Sequence, residues 1–160
     1  MEKMTGILKE YASYNEADVL KSIEEILKKR KAASRSKKAY ETILSCIDLT
    51  SLNTSDTEEG IGKMVQKVNA FGENYPELPN VAAICVYPSM VKTVRDCLTE
   101  GVEIASVAAG FPHSQTFVEV KVAETSLAVL DGASEIDIVL SIGKLPVSYT
   151  HLTLPTIYSV

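Results

Sequence analysis

The chain has 160 residues, enough for one domain with a sizeable core, and its 46% hydrophobic and 23% charged residues are ordinary for a soluble globular protein. The longest apolar run, residues 81–87, is far short of the ~20 residues that a membrane span requires, and residues 1–6 carry no apolar stretch of a secretory signal. Net charge is −5, and residues 39–160 hold six Lys/Arg against fifteen Asp/Glu, an acidic body that offers nucleic acid little.

Residues 1–44 read as helical throughout, with Asn15-Glu16-Ala17-Asp18 as a variant capping box and Val19, Leu20, Ile23, Ile26 and Leu27 at helical spacing behind it. This segment is expected to pack across one end of the domain. The basic cluster at residues 28–38 has no interleaved aromatic residue. It reads better as a solvated helix end, whose cations suit the C-terminal dipole, than as a nucleic-acid contact.

From residue 45 the pattern alternates strand and helix. The first strand is placed at residues 45–49, ending in a polar loop, and Ser55-Asp56-Thr57-Glu58 reads as a capping box opening a helix with Ile61, Met64, Val65 and Val68 on its apolar face. The second strand is residues 81–87, stopped by Pro88, and Val91, Val94 and Leu98 mark a helix closed by Gly101. The third strand is residues 103–108, followed by Gly110-Phe111-Pro112-His113, with His113 read as a loop residue. A helix over about residues 116–130 ends at Gly132, where a positive φ is expected.

Gly132-Ala133-Ser134-Glu135-Ile136-Asp137-Ile138-Val139-Leu140-Ser141 is then a β-branched, apolar strand with one carboxylate, Asp137, in its middle. Burying an ionised carboxylate is costly unless it is paired or its pKa rises, so Asp137 is either a hydrogen-bonded strand-end residue or a group in chemical use. Continuously apolar strands separated by helices predict an α/β fold with a parallel sheet covered on both faces. Asp48, Cys85, His113 and Asp137 collect at the C-terminal strand ends, where such folds carry their chemistry. No glycine-rich nucleotide loop follows any strand, and no His or Cys pair has metal-ligand spacing, so no cofactor and no metal are expected. Three cysteines, Cys46, Cys85 and Cys97, form an odd set in apolar surroundings, which fits a reducing cytosol; a cytoplasmic location is expected.

Four segments together resemble deoxyribose-phosphate aldolase: Cys46-Ile47-Asp48-Leu49-Thr50-Ser51-Leu52, Val81-Ala82-Ala83-Ile84-Cys85-Val86-Tyr87-Pro88, Gly110-Phe111-Pro112-His113, and Gly132-Ala133-Ser134-Glu135-Ile136-Asp137-Ile138-Val139. Their order and spacing fit from about residue 40 to Lys144. The resemblance implies part of a TIM (β/α)8 barrel, about four βα strands preceded by the helical segment. It also implies reversible cleavage of 2-deoxy-D-ribose 5-phosphate to glyceraldehyde 3-phosphate and acetaldehyde, through a lysine Schiff base without metal, in deoxyribonucleotide catabolism.

By position, the resemblance makes Asp137 the proton-transfer residue, a role that a carboxylate raised in pKa by an apolar strand would suit. It assigns Asp48 and Thr50 to the substrate loop after strand one, and Cys85 to the pocket nearby. Asp48 reads equally as a residue that holds its loop, and Cys85 as a small buried hydrophobe. In the family the Schiff-base lysine lies on strand six with a second lysine on strand seven. Neither has a counterpart in these 160 residues; Lys144, just beyond strand four, is a poor substitute without a cationic neighbour. The 160-residue chain is therefore expected to be inactive.

The division expected is a helical segment at 1–44, a partial barrel at 45–144, and a tail at 145–160 that contains no Asp, Glu, Lys or Arg. The tail is read as foreign sequence joined to an interrupted gene. Two alternatives remain open: a non-catalytic half-barrel that acts by association, as its own oligomer or with another chain, through the open edge of strand four, and another phosphosugar barrel lyase.

Overall fold

The computed structural model describes residues 15–30, 35–99 and 101–143. Lys144 and the tail at 145–160 lie outside the described residues. The chain divides into two compact units, residues 1–40 and 41–160.

In the first unit, helix α1 (Glu16–Arg30) opens where the Asn15 Oδ1 accepts from the Asp18 amide at 2.9 Å, and the Asn15 amide group donates back to the Asp18 carboxylate at 2.7 Å. The capping box is thus present, with its return bond made side chain to side chain. Glu16 and Asp18 stand at the positive end of the helix dipole and Lys28, Lys29 and Arg30 at the negative end. Val19, Leu20, Ile23, Ile26 and Leu27 are all exposed. The expected continuous helix is broken before α2 (Lys37–Leu44), because the Ser36 hydroxyl accepts from the Ala39 amide at 3.2 Å and starts a new helix there.

In the second unit, Ser45, Cys46 and Ile47 extend the turns of α2, each amide donating to a carbonyl three or four residues back. Strand β1 is for that reason Asp48–Thr50, three residues later in its start than the sequence pattern suggested. Helix α3 (Glu58–Asn74) is capped by Thr57, whose hydroxyl accepts from the Gly60 amide at 3.1 Å. Ser55 does not cap it, as the sequence had suggested. Strand β2 (Ala83–Val86) is wholly buried. Pro88 then supplies the first residue of a 3-10 turn, Pro88–Met90, that feeds α4 (Val91–Cys97). That helix ends at Leu98 in extended backbone, and Gly101 plays no part in closing it. Strand β3 (Glu103–Ala108) has the expected bounds. Helix α5 (Val118–Asp131) is closed by Gly132 at φ +117°, and the Arg95 guanidinium donates to the Asp131 carbonyl at 2.7 Å, satisfying one orphan acceptor of that helix end. Strand β4 (Glu135–Ile138) completes the sheet.

The four strands are parallel and lie in chain order, β1-β2-β3-β4. Ile84, Val86 and Ile104 pack on one face against Ile61, Val65 and Val68 of α3, Val91 and Val94 of α4, and Ala128 of α5. Ala83, Cys85, Ala105 and Val107 point to the other face, where loop residues Leu52, Tyr87 and Phe111 meet them. Among the described residues, helices thus cover one face and loop side chains meet the other. This is the layering of half a β/α barrel, with a helical outside and a side-chain-lined inside.

Candidate active site

Parallel register decides which residues share the inner face. Asp48 is level with Ala83 and Thr50 with Cys85; Cys85 is level with Ala105, and Val107 with Asp137. Because strand side chains alternate, Asp48, Thr50, Cys85 and Asp137 all fall on that face, toward the C-terminal strand ends. Thr50, Cys85 and Asp137 border one cleft of about 340 Å³, with Leu52, Val107 and Phe111 among its walls. Asp48 sits one layer deeper on the same face, and its backbone carbonyl accepts from the Thr50 hydroxyl at 2.9 Å.

The contact that joins the set runs from the Cys85 thiol to the Asp137 carboxylate, with sulfur to Oδ2 at 3.6 Å. Cys85 is 2% exposed. Burial first, then the negative charge of Asp137 and the hydrogen bond to it, push the thiol up to about 11. A hydrogen bond with Thr50 pulls the other way, and the Asp48 charge adds a smaller push. Cys85 is accordingly a neutral thiol that donates to a carboxylate at neutral pH, unsuited to act as a nucleophile there.

Asp137 itself departs from expectation. It is exposed, as are Glu135 and Ile138, because among the described residues β4 is the edge of the sheet and pairs with β3 alone. The apolar run around Asp137 signalled a strand buried on both faces. Among the described residues only Ile136 of β4 reaches the helical layer, and it is half-buried.

Loops frame the cleft through groups that sequence patterns did not single out. The Asp56 carboxylate gathers the loop after β1, accepting from the Ser51 hydroxyl at 2.9 Å and from the Asn53 amide at 3.0 Å. Against some desolvation, these bonds hold its carboxyl below the usual carboxylate range. The Tyr87 hydroxyl donates to the Leu52 carbonyl at 3.3 Å, and the Tyr87 ring meets Phe111 edge-on at 6.2 Å between centroids. One aromatic pair thereby links the loops after β1, β2 and β3. Helix α5 ties down the next two strand ends. Glu124 accepts from the Gly110 amide at 2.9 Å, and the Lys121 ammonium donates to the hydroxyls of Ser114 and Ser141. Buried Ser114 in turn donates to the Val139 carbonyl at 2.7 Å. His113 is exposed in the loop between β3 and α5, as its loop assignment implied. Among the described residues no group of three or more His, Cys, Asp or Glu is placed to hold a metal ion, and no helix is long and apolar enough to cross a membrane.

Comparison with known proteins gives the arrangement its relatives. Residues 42–145 match the DeoC/LacD family aldolase. A deoxyribose-phosphate aldolase of Bos taurus is 36% identical over 139 residues, covering 79% of this chain and 44% of that protein. Among solved structures, QR15, an aldolase, superposes with a TM-score of 0.56 at 30% identity, over 65% of this chain and 42% of that one. A tetrameric deoxyribose phosphate aldolase of Aeropyrum pernix superposes with a TM-score of 0.53 at 27% identity, over 64% and 41%. The chain spans less than half the length of each. Since the family match covers most of the chain and its whole β/α region, the chain belongs to the DeoC/LacD family of aldolases.

Proposed function

We propose that this chain carries the proton-transfer half of a deoxyribose-phosphate aldolase site. The reaction is reversible cleavage of 2-deoxy-D-ribose 5-phosphate to D-glyceraldehyde 3-phosphate and acetaldehyde, through a lysine Schiff base, in cytoplasmic deoxyribonucleotide catabolism. Asp137 acts as the general acid/base at the carbon next to the imine, while Asp48 and Thr50 contact the sugar. Cys85 borders the pocket and hydrogen-bonds the Asp137 carboxylate, which fixes one of its oxygens. The observation that carries this reading is the convergence of Thr50, Cys85 and Asp137, from three different strands, on one cleft of the inner face. A general base must stand within hydrogen-bond reach of the proton it moves, and an exposed carboxylate at a strand's C-terminal end is open to a substrate in that cleft.

No lysine matching the family's Schiff-base position occurs in these 160 residues, so the chain alone is expected to show no retro-aldol activity. Borohydride with 2-deoxy-D-ribose 5-phosphate should leave its mass unchanged; a covalent adduct would refute that expectation. Mixing the chain with the strand-five-to-eight half of the Bos taurus relative tests the aldolase reading itself. Cleavage should appear, and Asp137→Asn should lower it by at least about 100-fold, the low end of what a positioned acid/base group contributes. Equal activity of the Asn variant in the mixture would overturn the role of Asp137.

A further inference from the structure

We infer that Lys121 is a positioning residue: through the hydroxyls of Ser114 and Ser141 it holds the end of β4, and with it Asp137, in place at the cleft. The catalytic value of that position rests on the acid/base reading of Asp137 proposed above. The β3–β4 ladder ends where Ala108 is level with Ile138, one residue past Asp137. Beyond it the Val139 amide reaches the Ala108 carbonyl only at 3.4 Å. The β3 chain then turns away, with Ala109 at φ +66° and Gly110 at φ +73°. Backbone pairing therefore gives out within two residues of the carboxylate that the reaction needs held still.

Side chains take over where the ladder stops. Ser114 Oγ donates to the Val139 carbonyl at 2.7 Å, and Lys121 Nζ donates to both Ser114 Oγ and Ser141 Oγ, the latter at 2.7 Å. The single Ser114 hydroxyl hydrogen is committed to Val139, so its lone pairs face the ammonium, whose charge strengthens the chain of bonds. Lys121 is itself half-buried and fixed on α5. Ser114 is 2% exposed and sits at φ +58°, in the left-handed region that is costly for a residue with a Cβ. Such an outlier persists where its surroundings over-determine it. Here it brings a hydroxyl between a cation and the carbonyl two residues past Asp137. A misplacement of about 1 Å at a reacting group can cost about 100-fold in rate, so a tie at this point has a direct use.

The Cys85 thiol, whose partner is the Asp137 carboxylate, reports that position in the 160-residue chain without any turnover. In a Cys46→Ser, Cys97→Ser background, Lys121→Met should lower the pH inflection of iodoacetamide alkylation at Cys85, and the rate at pH 8 should rise at least about three-fold. Loss of a positive charge alone would act in the opposite direction, raising the thiol pKa, so a fall reports displacement of Asp137 and not a missing charge. Ser114→Gly, which suits the left-handed backbone and removes the hydroxyl, should do the same. In a chain that also carries Asp137→Asn, neither variant should lower the inflection further. Thr57→Ala, which weakens the cap of α3 instead, should leave the inflection unchanged and so tells a general loss of stability apart. An inflection that Lys121→Met leaves in place or raises would overturn the proposal. So would a fall that persists in full beside Asp137→Asn, since that would be a loosening of the burial around Cys85. The aldolase reading is judged separately: if Asp137→Asn keeps full activity in the two-piece mixture, the acid/base role fails while the thiol result still establishes the tie.

Discussion

The thiol of Cys85 offers a direct reading of how the inner face is built. Its pKa rises from 9.0 to about 11, with burial the largest cause and the Asp137 charge and hydrogen bond next. At pH 8 a thiol of pKa 9.0 is about 10% ionised and one of pKa 11 about 0.1%, a hundredfold difference in the reactive form. In a chain carrying Cys46→Ser and Cys97→Ser, iodoacetamide should alkylate Cys85 at a rate that climbs with pH toward an inflection near 11. Steric shielding slows the reaction equally at every pH, so the inflection, and not the absolute rate, reports the electrostatics. Asp137→Asn removes the charge and the hydrogen bond to a carboxylate but leaves the burial. The inflection should then fall part of the way back while staying above 9.0, and alkylation at pH 8 should rise several-fold, by less than a hundred. The same shift also acts on stability. The unfolded chain releases the thiol proton first, so folding loses about 1.4 kcal/mol per pH unit above pH 9, up to about 3 kcal/mol by pH 11. Below pH 9 the contribution is fully present. An inflection at or below 9, or one that Asp137→Asn leaves in place, would refute the placement of these two side chains against each other.

Further predictions concern the framework that holds this face. Gly132→Ala should destabilise the chain by about 1–3 kcal/mol in urea unfolding, because the residue sits at φ +117° and its new Cβ would lie 2.8 Å from Arg95 Cδ; an unchanged midpoint would contradict that geometry. Thr57→Ala should cost about 1 kcal/mol by the same measurement, through loss of the α3 cap. Ile84→Ala, at a position with 0% exposure between the sheet and α3, should cost about 2–5 kcal/mol. The lowered Asp56 carboxyl contributes stability above its ordinary range that is lost as pH falls through it, so Asp56→Asn should flatten the acid limb of the stability profile near pH 4.

What was legible in the sequence was whatever depends on neighbours along the chain. The β3 bounds, the closure of α5 at Gly132 and the Asn15 cap all rest on local patterns, and the alternation of strand with helix was enough for a parallel sheet. The grouping of Asp48, Thr50, Cys85 and Asp137 came from the family resemblance, and the register places them on one face. What depends on the third dimension was not legible. The run around Asp137 looks the same whether a strand has one neighbour or two, so its exposure at the sheet edge could not be read from composition. Strand β1 starts late because turn bonds after α2 use Ser45, Cys46 and Ile47, a competition that propensity does not register. Asp56, Tyr87 and Phe111 gained their places through contacts between loops, and the only local hint was that each stands within a few residues of a strand end.

Lys121 and Glu124 lie three residues apart, within one turn of α5, and between them hold two strand ends: Glu124 binds the backbone at Gly110 just past β3, and Lys121 the hydroxyls of Ser114 in that same loop and of Ser141 past β4. One helical turn is therefore a common anchor for two walls of the cleft. A shift of α5 would therefore pull on the Phe111 side and the Val139 side together, through the bonds to Gly110, Ser114 and Ser141. Redesign of the specificity of this cleft would then start on the outside of the helix, at residues that touch no substrate.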